Sequence, residues 1–192
     1  MKKLLITGFD SFGGQALNPS WEAVKRLPDV IGEYELCKLQ IPTLYARAPQ
    51  LVLEKAGELH PDVILSVGQA GGRDAVTPER IAVNIRDARI PDNGGTLHSG
   101  DPIVPGGPAA YFAALPVETM RDAIRAAGIP AAVSNTAGTY VCNDVMYSVL
   151  HRYAGTALRA GFIHVPYLPE QGEPNLPLER TVAALTAAIR VL

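Results

Sequence analysis

The chain has 192 residues and a mass of 20.4 kDa, enough for one domain with a sizeable core and short for two. Its 17 basic and 19 acidic residues, with a pI near 6.1, exclude strong long-range attraction to nucleic acid or to an anionic membrane. Its 18 glycines and 16 prolines, about 18% of the chain against a usual ~12%, predict a folded protein with many turns.

Lys3 to Thr7 is a short apolar run that reads as a buried first strand ending at Gly8. The same stretch is too short for a secretory core, which needs roughly 7–15 apolar residues, or for a membrane span of about 20, so the expectation is a cytoplasmic chain. Pro19 to Leu27 reads as a helix with Asn18 as its N-cap and Pro19 at its first position. Tyr34 to Ile41 reads as a strand stopped by Pro42, and Tyr45 to Leu59 as a helix ended by His60-Pro61. Val63 to Val67 is a further strand entering a glycine loop. Gly68 to Pro108 follows, about 40 residues without a clear helix, a length more often functional than merely connecting. Val117 to Ala127 is predicted helical and closed by Gly128. Then come a buried strand over Ala131 to Ser134, a helix from Asn143 to Arg152, a strand from Phe162 to Val165 and a long Ala-rich helix over Leu178 to Val191.

Strands alternate with helices, and several strands are apolar on both faces. The expectation is an α/β fold, a largely parallel twisted sheet covered by helices on both sides, in one domain spanning residues 1–192. Ligands in such sheets sit at the carboxyl ends of the strands. Four segments end predicted strands in unusual sequence: Gly8–Gly14, Gly68–Arg73, Ser134–Asn143 and His164–Pro169.

Two cysteines, Cys37 and Cys142, stand far apart with no C-x-x-C pattern, so neither a zinc site nor a disulfide framework is indicated. Cys37 lies in an apolar run and reads as a buried structural thiol. Cys142 opens a predicted helix, where the dipole favours thiolate and free backbone N–H groups can hold a developing oxyanion. A cysteine nucleophile needs a base. His151 lies nine positions along the same helix, roughly 13 Å away at ~1.5 Å per residue, and is excluded. His60 reads as a helix-end cap. His98, in the loop system, stays open, while His164 ends a strand on the side where Cys142 emerges. The acid that orients the imidazole is expected at Glu79, whose plainer role is a salt bridge with a neighbouring arginine; Asp74, Asp87 and Asp92 stay open as competitors.

Together these segments resemble the pyroglutamyl peptidase type I (pyrrolidone-carboxylate peptidase) family of cysteine peptidases. Gly68-x-x-Gly71 followed by Val76–Asn84 is similar to the family's glutamate signature, and Val133–Asn143 to its cysteine signature. Thr7–Gly14 with Asn18–Ser20, Asp87–Asn93 and Phe162–Pro169 match as well, and Tyr140 stands where some members have phenylalanine. The resemblance implies an α/β/α sandwich and removal of an N-terminal pyroglutamyl residue from peptides, with Cys142 as nucleophile, His164 as base and Glu79 as orienter. It implies no metal or other cofactor, a cytoplasmic location and a homotetramer. It maps the substrate pocket to Phe9, Phe12, Gln69, Ile90, Tyr140 and Val141, with Arg89 as a carbonyl or oxyanion contact. A neutral lactam suits such a pocket, because aromatic faces can sandwich the ring while an amide pairs its polar edge. Two other readings are a catalytically dead peptide-binding relative and a nucleoside- or phosphate-binding enzyme. Against the second, the first glycine loop lacks both G-x-x-x-x-G-K-[ST] and G-x-G-x-x-G, and has no Lys or Arg from Gly8 to Ser20.

Overall fold

A computed structural model describes residues 1–192. Strand β1 (Lys2–Phe9) leads to helix α1 (Pro19–Val24), a two-residue strand β2 (Val30–Ile31), β3 (Tyr34–Ile41), α2 (Arg47–Leu59) and β4 (Val63–Gln69). The loop system then holds β5 (Thr77–Pro78), β6 (Ile81–Val83), β7 (Arg86–Asp87) and β8 (Ser99–Asp101), followed by β9 (Ala110–Phe112). Helices α3 (Val117–Ala126) and α4 (Val141–Arg152), strand β10 (Arg159–Val165) and helix α5 (Leu178–Ile189) complete the chain.

The central sheet has six strands in the order β2-β3-β1-β4-β10-β5. β3, β1, β4 and β10 run parallel, while the short β2 and β5 are antiparallel at the two edges. Alternate residues of each parallel strand enter opposite layers, as the two-residue period of a strand requires. Leu4, Ile6, Leu65 and Ile163 pack with α1, α3 and α5, whereas Leu5, Phe9, Ile64 and Phe162 pack with α2 and α4. The sandwich expected from the sequence is therefore present, and both faces of the sheet are covered.

Chain order also places a crevice. After β1 the chain turns to β3 on one side of it, then returns to β4 on the other, so the connections leave the sheet in opposite senses between β1 and β4. That reversal opens a cleft at the carboxyl ends of the strands.

Several elements differ from expectation: α1 stops at Val24, three residues short of Leu27, and β10 starts at Arg159, three before Phe162. Ala131 to Ser134 does not form a full strand; it touches residues 76–79 through two isolated parallel bridges, Val76–Ala131 and Glu79–Ser134. The ladder runs from Val76 N–H to Pro130 O, Ala132 N–H to Val76 O, Ser134 N–H to Pro78 O and Arg80 N–H to Ser134 O. The bond that would fall between them needs an N–H on Pro78, which proline lacks. The loop system of residues 68–108 carries short strands, β6 pairing β9 and β7 pairing β8. These depend on long-range partners and leave no local periodicity. Helix α4 begins at Val141, two residues before the expected start.

Candidate active site

The first turn after β1 is pinned by small polar side chains. Phe9 N–H donates to Ser20 Oγ at 2.9 Å, Ser20 Oγ donates to Asn18 Oδ1 at 2.8 Å, and Asn18 Nδ2 donates to the Asp10 carbonyl at 2.8 Å. Asn18 Oδ1 also caps α1 by accepting from Ser20 N–H. One capping residue thus anchors both the helix and the loop that carries Phe9 and Phe12.

Helix α4 is clamped just beyond Cys142. The Asn143 side chain exchanges hydrogen bonds with the N–H and C=O of Val83, at 3.0 and 2.8 Å, and gives a third to Ile85 O. Asp144 Oδ1 accepts from Arg86 Nε and Nη2 at 3.1 and 2.8 Å, and its Oδ2 accepts from Ala46 N–H. Both side chains are fully buried. The intrahelical ladder starts with Asp144 N–H to Tyr140 O, which leaves the N–H groups of Val141, Cys142 and Asn143 outside it, as the first turn of a helix does.

Cys142, the second residue of α4, reaches the sheet at Gly68. A β-carbon on Gly68 would lie 2.8 Å from Cys142 Sγ and 2.8 Å from Phe162 Cζ, so the thiol fills space that only glycine leaves open. Gly68 stands opposite His164 in the parallel β4–β10 pair, and residues in register project to the same face. The sulfur and the imidazole therefore share one face and one cavity. The ring packs against Phe162 with centroids 4.8 Å apart. It hydrogen-bonds through Nδ1 to Glu79 Oε1 at 2.7 Å, with Nε2 free of protein partners.

Glu79 is completely buried, and its Oε1 also accepts from Arg73 Nη1 at 2.6 Å. Arg73 is tied as well to Thr77 Oγ1 and the Thr136 carbonyl. Burial opposes ionisation of the Glu79 carboxyl, but the His164, Ser134 and Arg73 side chains together outweigh it and hold it below the usual carboxylate range. Burial lowers the proton affinity of His164, and Arg73 adds to this, against the raising influence of Glu79. Burial, with the Glu79 charge behind it, pushes the Cys142 thiol up to about 12. Desolvation thus opposes the helix-dipole effect expected from sequence, and burial disfavours the charged form of both groups.

The cavity has a volume of about 260 Å³, near the lower end of small-molecule sites, which run roughly 300–1,000 Å³. Phe9, Phe12, Tyr140 and Gln69 line it together with Cys142 and His164. Tyr140 is held by its hydroxyl bond to the Pro91 carbonyl at 3.0 Å and packs against Phe12 with centroids 6.0 Å apart. Arg73 is the one Lys, Arg, Asp or Glu side chain on the lining, so no carboxylate reaches the surface of the cavity. Val141 is wholly buried in the core, while Arg89 and Ile90 are exposed and do not line the cavity. His98 pairs with Asp101, and His151 with the Tyr111 hydroxyl. His60 closes α2 in a left-handed conformation through its backbone N–H, and Cys37 is half-buried on β3. Of the competing acids, Asp92 instead accepts from Tyr45, Gly94 and Thr96 N–H groups and folds its own loop. Arg73, Asn143 and Asp144 had no role in the sequence reading. A charged residue six positions before Glu79, and two polar residues inside the first turn of a buried helix, were the available signals.

A family model described as pyroglutamyl peptidase matches residues 2–192. The pyrrolidone-carboxylate peptidase of Levilactobacillus brevis is 55% identical over 99% of this chain and 97% of its own length. That of Thermococcus onnurineus is 50% identical over 98% and 97%. Among solved structures, Bacillus amyloliquefaciens pyroglutamyl peptidase I superposes with a TM-score of 0.96 at 45% identity, covering 100% of this chain and 96% of that one. The pyrrolidone carboxyl peptidase of Thermococcus litoralis gives 0.95 at 40% identity, covering 100% and 93%.

Proposed function

The chain belongs to the pyroglutamyl peptidase family of cysteine peptidases, and from that premise we propose that Cys142, His164 and Glu79 form the catalytic triad of a single catalytic domain. Pyroglutamyl peptidase activity follows from the membership. The observation that carries the finer reading is the shared face of the Cys142 thiol and the His164 imidazole, with Glu79 fixed behind the ring.

The reaction proceeds by acyl transfer. His164 Nε2 takes the thiol proton as sulfur attacks the pyroglutamyl carbonyl, so thiolate forms only as it is used. Glu79 holds the ring through Nδ1 and stabilises the imidazolium. The free N–H groups at the start of α4 receive the developing oxyanion. His164 then protonates the leaving amine, and the same imidazole activates a water that hydrolyses the thioester.

Phe9, Phe12 and Tyr140 take the flat ring of the lactam, and Gln69 pairs its polar edge. The cavity surface suits a neutral N-terminus, because it offers Arg73 and no carboxylate to an ammonium group. Arg89 and Ile90, exposed on the loop system, join the substrate only if that loop moves over it. Self-association belongs to this reading as well: Phe112 is 71% exposed beside an apolar groove formed with Tyr111, Leu150 and Tyr153. Light scattering would give the number of subunits, with four expected.

The deciding assay compares pyroglutamyl-, prolyl- and glutaminyl-aminomethylcoumarin. Turnover of the pyroglutamyl compound alone, lost in Cys142→Ala with the fold intact, is the expected result. Near-normal activity in that variant would remove Cys142 as nucleophile.

A further inference from the structure

Gln69 lines the cavity, and its side-chain amide has an oxygen that accepts and a nitrogen that donates. Which end faces the substrate is decided from behind, by Gln171 in the 3-10 turn Pro169–Gln171 that follows β10. Leu168 N–H donates to Gln171 Oε1 at 3.0 Å, and Gln171 Nε2 donates to the Leu17 carbonyl at 3.4 Å. A backbone N–H can only donate and a backbone C=O can only accept, so these two contacts fix the orientation of the Gln171 amide. Its nitrogen also donates to Gln69 Oε1 at 3.0 Å. The acceptor end of Gln69 is thereby engaged away from the cavity. Its Nε2 has no partner in the protein and is the end left for a ligand.

We infer, on the proposed reading that the cavity takes a pyroglutamyl ring, that Gln171 is a positioning residue which holds Gln69 as a hydrogen-bond donor and so makes the site read a ring carbonyl. That carbonyl is the chemical difference between pyroglutamyl and prolyl rings, since proline carries a methylene there and an ionisable amine beside it. A donor aimed at the ring rewards the lactam oxygen and opposes both the methylene and the ammonium. The discrimination thus starts in a residue that need not touch the substrate.

The test is a double-mutant cycle on pyroglutamyl-aminomethylcoumarin hydrolysis. Gln171→Glu puts an acceptor where the donor was, so the Gln69 amide turns its nitrogen toward residue 171 and shows its oxygen to the ring carbonyl. Gln171→Met removes the contact without reversing it. The expected result for Gln171→Glu is a KM raised about 10- to 100-fold with kcat within about threefold, because ground-state and transition-state binding are lost alike. Gln171→Met should show a smaller rise of about three- to tenfold. In a Gln69→Met background, either change at 171 should add less than about twofold. A merely structural role for Gln171 would instead lower the melting temperature or kcat and would raise KM equally with or without Gln69; that outcome, or an unchanged KM in Gln171→Glu, overturns the inference. If Gln171→Glu does not fold, the Gln171→Met cycle carries the same comparison. Failure of the unchanged protein to hydrolyse the pyroglutamyl compound would overturn the function reading itself, a result distinct from any effect confined to residue 171.

Discussion

The sulfur of Cys142 stands only 2.8 Å from the point where a β-carbon on Gly68 would lie. Glycine at 68 is required by close approach, and its backbone angles need no special region. Gly68→Ala must therefore displace the Cys142 sulfur and the Phe162 ring from their present positions. A displacement near 1 Å at a reacting atom can cost about 100-fold in rate, and overpacking a core typically costs ~1–3 kcal/mol. The expected variant folds, melts lower and loses at least about 100-fold in kcat/KM. Steady-state kinetics with a thermal melt checks both.

Arg73 and Glu79 act on His164 in opposite senses. Glu79 raises the proton affinity of the imidazole and Arg73 lowers it, while burial sets it below the ordinary value of 6.5. On the proposed mechanism His164 must be neutral to accept the thiol proton, so the acid limb of kcat/KM follows this group. Arg73→Met should move that limb to higher pH. Glu79→Gln should move it to lower pH and also cut kcat, since the imidazolium loses its partner. Two pH–rate profiles against the unchanged protein decide this; a shift of both variants in the same direction would exclude the electrostatic account.

The same groups set limits on folding stability. His164 has a folded pKa below its unfolded value of 6.5, so the unfolded chain binds the proton more readily and stability falls as pH drops beneath that value. Cys142 is held at about 12, against 9.0 in an open chain, so above pH 9 the unfolded thiol ionises first and stability falls again. Glu79, depressed below 4.5, adds a further loss as pH falls through its folded value. Thermal melts from pH 4 to 11 should therefore show a plateau between about 6.5 and 9. In Cys142→Ala the part of the alkaline decline due to this thiol should disappear.

Arg86 and Asp144 form a pair in which the carboxylate is wholly buried and the arginine mostly so. Asp144→Ala leaves a guanidinium in that setting without its partner and releases the Ala46 N–H. Removing one member of a buried pair costs about 3–5 kcal/mol, so urea unfolding should show a loss of that order. Because Asp144 stands two residues from Cys142, the proposed nucleophile, kcat should fall even in the folded fraction.

Tyr34–Ile41 was readable to the residue, because a strand between turn signals announces its own limits. The convergence of Cys142 and His164 on one cavity, with Glu79 bonded to the ring, was readable because strand ends, a helix start and long motifs mark the three residues. Arg73, Asn143 and Asp144 were marked only by their charge or polarity, since their value comes from partners 6 to 98 positions away that a local pattern does not name. The segment 131–134 looked like a strand by composition, and only its pairing with Pro78 explains why the ladder breaks. The thiol was expected to be acidic from its place on the helix; burial by side chains from elsewhere in the chain reversed that.

β10 is the last strand of the sheet in chain order, yet it lies inside the sheet, between β4 and β5. It brings His164 to Glu79 across 85 positions of chain. A polypeptide still being made, and not yet past Arg159, would hold the proposed nucleophile without its proposed base and would expose the edge of β4. Hydrolytic competence should consequently arise late, in one step, when that strand inserts. In a refolding experiment, recovery of peptidase activity should trail the return of helix signal and coincide with protection of β4 backbone amides from exchange.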